Sequence, residues 1–224
     1  MSILENPSLS AKHNEAVQAL MSIFKYLGNK SEEYVKVIFP IFFRLIGTSE
    51  EGFQDFMFQQ LGILVKIIGR GVSDCLSTLM QLVLKKWENK FLRNSLIILV
   101  EELCIALGDA FHKYLPQLIP KFVKTINTDT NNKTCILQIL NFFQVLGNSV
   151  SPFLLIIIPP LSRLLSPSPS TSTTAPLDLQ CAALKTFSIL SYHVDLSPHL
   201  SRCIRPILSK IFLTRLPFFF FDFY

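Results

Sequence analysis

Apolar residues between Ala11 and Leu27 recur at Val17, Leu20, Ile23, Phe24 and Leu27, the three-and-four spacing that gathers side chains on one face of a helix. Gly28 follows and predicts a stop, because glycine takes a positive φ at little steric cost. Residues 31–46 predict a second helix with Val35, Ile38, Phe39, Phe42 and Phe43 turned inward and Pro40 bending it. The outline then returns. Gly28, Gly69, Gly108 and Gly147 each follow Leu or Ile, at intervals of 41, 39 and 39 residues. Pro40, Pro120 and Pro159 each lie 12 residues after their glycine. A period near 40 residues predicts stacked helical pairs, since one pair cannot bury its own apolar face and needs neighbours.

The period divides the chain. The second pair is expected at about 51–68 and 73–88. It opens on Thr48-Ser49-Glu50-Glu51, a capping-box spacing that lets Glu51 reach back to the Thr48 amide. Gly62 falls inside its first helix, where it costs about 1 kcal/mol relative to alanine; a closely approaching neighbour would explain it. The third pair is read from Ser95 to Phe122, SLIILVEELCIALGDAFHKYLPQLIPKF, with a stop at Gly108 and prolines at 116 and 120. The fourth runs from Asn132 through Gly147 to Leu165, with Ile136, Leu137, Leu140, Phe143 and Leu146 inward, and the fifth covers 177–192 and 197–212 with Pro206. The expected fold is all-α, a HEAT-repeat α-solenoid of about five antiparallel helix pairs. Residues 1–9 are expected to fray, 10–212 to form the array, and the low-complexity Ser/Pro segment 166–176 to be a solvated loop inserted in it. Residues 213–224, with four consecutive phenylalanines, fit no repeat. Two readings of this tail stand: an aromatic hook for a membrane surface or partner, or the product of a chain cut short.

Composition changes this picture little. Half the residues are hydrophobic and 17% are charged, as suits inner helices buried on two sides. Charges interrupt the apolar segments, and the run Pro152–Leu161 is far short of the about 20 residues a spanning helix needs. No transmembrane segment and no secretory signal are expected. The net charge of +5 is spread over scattered lysines, so no nucleic-acid footprint is expected. Cys75, Cys104, Cys135, Cys181 and Cys203 are odd in number, at spacings of 29, 31, 46 and 22, which makes neither a disulfide framework nor a metal pattern. They read as small buried residues in a reducing, cytosolic or nuclear setting.

Candidate chemistry is thin. Gly69-Arg70-Gly71 lacks the third glycine of a dinucleotide loop, position 74 being Asp, and reads as a helix stop and turn. Glu101 and Glu102 are adjacent, so on a helix they point about 100° apart and cannot share one site. His13, His112, His193 and His199 have no His or Cys partner at i+3 or i+4, which argues against metal. Ser166-Pro167 and Ser168-Pro169 are open to proline-directed phosphorylation or are a plain spacer. No catalytic, cofactor-binding or metal-binding residue is assigned.

Three stretches carry a resemblance: FQDFMFQQLGILV (53–65), the third-pair run with its ALG and YLPQLIP, and FLLIIIPPLSRLL (153–165). They are similar to the long N-terminal HEAT-repeat region of the target-of-rapamycin (TOR) kinases, over about 17–165 and more weakly over 184–207. The resemblance implies a fragment of a large serine/threonine kinase of the phosphatidylinositol-kinase-related class, active in nutrient and growth signalling. It implies ATP and Mg in a kinase domain elsewhere, since 1–224 has no Gly-rich nucleotide loop, Asp-Phe-Gly or catalytic loop. By the same resemblance the segment is a scaffold, with a Raptor-like subunit and a second TOR protomer as partners. Its place would be the cytoplasm, endomembrane surfaces or nucleus as part of a TOR complex. The alternative is a stand-alone HEAT-repeat adaptor or transport-receptor-like protein that binds peptides on a concave face.

Overall fold

A computed structural model describes residues 2–129, 132–166 and 175–214. Most of the Ser/Pro loop and residues 215–224 of the aromatic tail lie outside these, as do the second Ser-Pro dipeptide and Pro167 of the first. Among the described residues there is no strand. Ten helices of eleven or more residues carry the fold, and the all-α helical-repeat class read from the period holds. The chain divides into two compact units, 1–114 and 115–224, and the division falls inside the third pair.

The first unit contains α1 (His13–Leu27), α2 (Val35–Thr48), α3 (Glu51–Ile68), α4 (Leu76–Lys86) and α5 (Arg93–Leu107). Three tight 3-10 segments, Gly28–Tyr34, Gly69–Cys75 and Gly108–Tyr114, follow α1, α3 and α5. Each begins on the periodic glycine, with φ of 56°, 54° and 52° and ψ of −131°, −122° and −124°. This is the first corner of a type II′ turn rather than the left-handed helical cap expected from the pattern. The seven-residue 3-10 segment explains why α2 and α4 start three to four residues later than the apolar spacing predicts. Residues 2–12 precede α1. They form a one-turn helix, Ser2–Glu5, and a 3-10 segment, Pro7–Lys12, with Leu4 only 5% exposed.

Like helices stack on like helices, and the polar contacts between them show the direction. Asn89 Nδ2 donates to Glu51 Oε1 (2.8 Å), Ser95 Oγ to Asp55 Oδ1 (2.5 Å), and Lys66 Nζ lies 3.5 Å from Glu102 Oε1. Both sets of numbers ascend, so α3 and α5 run parallel. The capping box does not form. Thr48 is the last residue of α2 and its hydroxyl donates to Arg44 O, while Glu50 stands at the start of α3 with no side-chain cap. The Gln54 amide instead donates to Ser49 O at 2.6 Å. Gly62 is explained as expected: a β-carbon there would lie 3.8 Å from Ile98 Cγ2 and 3.9 Å from Leu99 Cα on α5. In α1 the buried face is His13, Val17, Met21 and Phe24, and Ile23 is 55% exposed, because it sits about 100° round the helix from Phe24.

The second unit contains α6 (Leu115–Thr128), α7 (Lys133–Leu146), α8 (Leu154–Leu165), α9 (Leu177–His193) and α10 (Leu200–Thr214). Its core includes Phe122, Phe142 and Phe143, all fully buried, with Phe122 and Phe142 edge to face at 5.1 Å. Lys133 pairs with Asp178, and Gln144 Nε2 donates to Thr186 Oγ1 at 2.9 Å, so α7 and α9 are parallel too. Pro206 inside α10 supplies no N–H to Arg202 O, four residues back. The Ser162 hydroxyl on α8 donates to that carbonyl at 3.1 Å. The proline thus creates an acceptor that the neighbouring helix uses. Within Lys133–Leu165 an 18-residue window reaches a mean hydropathy of 1.6, but Gly147 at φ 53° breaks the stretch into helices of 14 and 12 residues. Each is short of the about 20 residues a membrane crossing needs.

Candidate functional site

The chemistry-bearing residues named from the sequence are not gathered into a reaction centre. His13 is buried at the start of α1 and its Nε2 faces backbone carbonyls. His112 Nδ1 lies 3.6 Å from Asp109 Oδ1, and the His193 ring lies against Gly147. Asp195 is exposed, and its carboxyl is held below its usual range by hydrogen bonds from the Ser197 side chain and N–H, the latter at 2.8 Å. That bond closes a side-chain turn two residues long just ahead of α10. Among the described residues no group of three or more His, Cys, Asp or Glu is placed to hold a metal ion.

None of the five cysteines, all among the described residues, is in a disulfide. Cys104, Cys135 and Cys203 are buried as expected, but Cys181 is exposed and Cys75 only half-buried, because both fall on the outward flank of an amphipathic segment. Burial, then the nearby Glu101 charge, pushes the Cys104 pKa up to about 11. Burial raises Cys75 and Cys203 as well, Asp74 adding to the effect at Cys75. None of these three is poised as a thiolate nucleophile at neutral pH.

Glu101 and Glu102 fall on α5. Glu102 faces Lys66 across the α3–α5 stack. Glu101 is half-buried, and desolvation first, then the Glu102 charge, raises its pKa against a smaller opposing pull from Lys66. A raised carboxyl pKa means the folded state holds the proton more tightly than the unfolded chain. Stability from this group is therefore full below the ordinary carboxylate pKa and lost as pH rises through the elevated one. Glu101→Gln should remove this loss. Thermal melts across that pH interval should show a flatter Tm profile for the variant than for the native chain.

What the first unit does offer is a polar ridge along its turns. The segments 28–36 and 69–75 flank an open groove of about 580 Å³, lined by Lys30, Glu32, Glu33, Lys36, Gly71 and Asp74 among others. Lys36 Nζ and Asp74 Oδ2 face each other at 3.5 Å, both well exposed, so the pair adds at most about 1 kcal/mol. A second groove of about 480 Å³ lies between 70–73 and 107–110. Both grooves lie along backbone turns, and charged side chains of both signs line the first. Sequence reasoning missed the partners across the stack, such as Asp55 with Ser95. Their signal was the period itself, since they lie about one repeat apart.

The comparisons with known proteins point one way. A model of the family described as "Serine/threonine-protein kinase mTOR domain" matches residues 1–69. Over 213 residues the chain is 30% identical to the serine/threonine-protein kinase mTor of Drosophila melanogaster, covering 94% of this chain and 8% of that one. It is 30% identical over 214 residues to the kinase tor1 of Schizosaccharomyces pombe, with 93% and 9% covered. With the kinase TOR of Arabidopsis thaliana the identity is 29% over 214 residues, with 91% and 8% covered. The chain thus spans less than a tenth of the length of these relatives.

Proposed function

The chain is homologous to a segment of the target-of-rapamycin serine/threonine kinases, and from that premise we propose that it is a scaffold and docking segment of such a kinase. In this reading the stacked pairs hold an extended surface on which an accessory subunit of the Raptor kind and a second kinase protomer assemble, in nutrient and growth signalling. The phosphoryl transfer belongs to a catalytic domain outside residues 1–224. The segment works where the assembled kinase works, in the cytoplasm, at endomembrane surfaces or in the nucleus.

The observation that carries this reading is the match of 94% of the chain to 8% of a kinase. It is supported by a surface of turns and shallow grooves with no activated group among the residues described above. Competition tests it. The purified 224-residue chain, added in excess to the whole parent kinase, should lower recovery of the accessory subunit in co-precipitation while phosphorylation of a short peptide by the kinase is unchanged. Undiminished recovery at saturating chain would sink the docking role.

A further inference from the structure

Residues 2–12 lie on the first helical pair with few anchors. The one-turn helix Ser2–Glu5 packs on both α1 and α2; Leu4 in it is 5% exposed, while Ile3 is 43% exposed. Asn6 organises the next turn internally: its Oδ1 accepts from the Ser8 N–H at 3.1 Å and the Ser8 hydroxyl at 2.7 Å. Leu9 breaks the helical path, at φ −101° and ψ 19°. Among the described side chains, the polar tie to the body is that of His13. His13, 6% exposed, places Nε2 at 3.1 Å from Ile3 O and 3.2 Å from Asn6 O. Two carbonyl acceptors on one nitrogen require that Nε2 carry the proton and share it between them. The same ring tilts at 49° against Phe53 of α3, centroid to centroid 6.1 Å. His13 therefore stands where the segment, α1 and α3 meet.

The balance of forces is close. Ordering eleven residues costs backbone entropy throughout, and among side chains whose burial is described Leu4 alone is fully buried, with Leu9 half-buried beside it. A buried N–H shared by two carbonyls is then decisive, because losing it leaves those two carbonyls without that donor and the segment held by apolar contact alone. We propose that residues 2–12 are a latch over the α1–α2 edge, with the His13 Nε2–H as its catch. Closed, the latch fills the seat of Leu4 between α1 and α2; open, it exposes that seat without unfolding the pair beneath.

Hydrogen–deuterium exchange of the whole 224-residue chain tests this. His13→Phe keeps a ring against Phe53 but has no N–H. It should raise exchange of the amides in 2–12 by about tenfold or more, as expected when a local opening loses its main tie, while α1 and α2 peptides keep native protection. Trypsin should also cut faster after Lys12, which is exposed. His13→Gln, whose amide can donate at similar reach, should restore protection. Two results overturn the proposal: 2–12 exchanging alike in the native chain and His13→Phe, or exchange rising equally through α1 and α2, which would make His13 an ordinary core residue.

Discussion

Replacing Phe142 by alanine should cost the second unit about 3–5 kcal/mol, the range for truncating a fully buried aromatic. Phe142 is on α7, has no exposed surface and meets Phe122 of α6 edge to face at 5.1 Å. Its loss removes the transferred area and the ring contact, and it leaves a cavity that Phe122 and Phe143 cannot fill without leaving their rotamers. A domain of this size is stable by only about 5–15 kcal/mol, so the substitution takes about a fifth or more of the total. Urea titration followed by far-ultraviolet ellipticity should show a lower midpoint for the helices of 115–214. A midpoint within experimental error of the native one would mean that α6 and α7 are not packed as described. Phe142→Leu, which keeps most of the volume, should cost well under half as much.

The second large effect is a pair of glycine substitutions on one helix with opposite signs. Gly69 ends α3 at φ 54° and ψ −122°, a region that side chains with a β-carbon avoid, so Gly69→Ala should destabilise by about 1–3 kcal/mol. The cost is conformational, since a β-carbon at Gly69 would meet no atom within 4 Å. Seven residues earlier, Gly62 has helical geometry, and its added methyl would sit at ordinary contact distance from Ile98 and Leu99. Gly62→Ala should therefore stabilise by up to about 1 kcal/mol through helix propensity. Trp87 is the single tryptophan and is buried in the same unit, so its fluorescence reports both variants during denaturation. Two shifts of the same sign would contradict the backbone geometry at one of the two sites.

Much of the architecture was legible because it depends on short-range rules. The glycine period marked four turns, and α3 was placed at its observed bounds, Glu51–Ile68. The errors came where local rules compete with packing. Thr48-Ser49-Glu50-Glu51 had a capping spacing, yet α2 runs on through Thr48 and Gln54 supplies the side-chain bond to Ser49 O. Ile23 and Leu137 fitted an apolar stripe, but the neighbouring helices cover a face set by Val17, Met21 and Phe24 in α1 and by Ile136, Ile139 and Phe143 in α7. No sequence rule ties a histidine at 13 to carbonyls at 3 and 6.

The candidate site was less legible for a similar reason. A docking surface is made of exposed side chains whose identities are weakly constrained by folding, so Lys36 and Asp74 carry no pattern until two turns are brought side by side. By itself the sequence determined the all-α class, the repeat length, the turn glycines, the in-helix prolines and the kinship with one group of kinases, since these follow from periodicity and from wording along the chain. Only the tertiary structure decided the division at 114/115, the parallel stacking of like helices, the use of the Pro206-freed carbonyl by Ser162, and the placement of 2–12 under His13. Those outcomes rest on which surfaces meet across about forty residues of chain, and that is settled by packing and by satisfying buried polar groups rather than by any local preference.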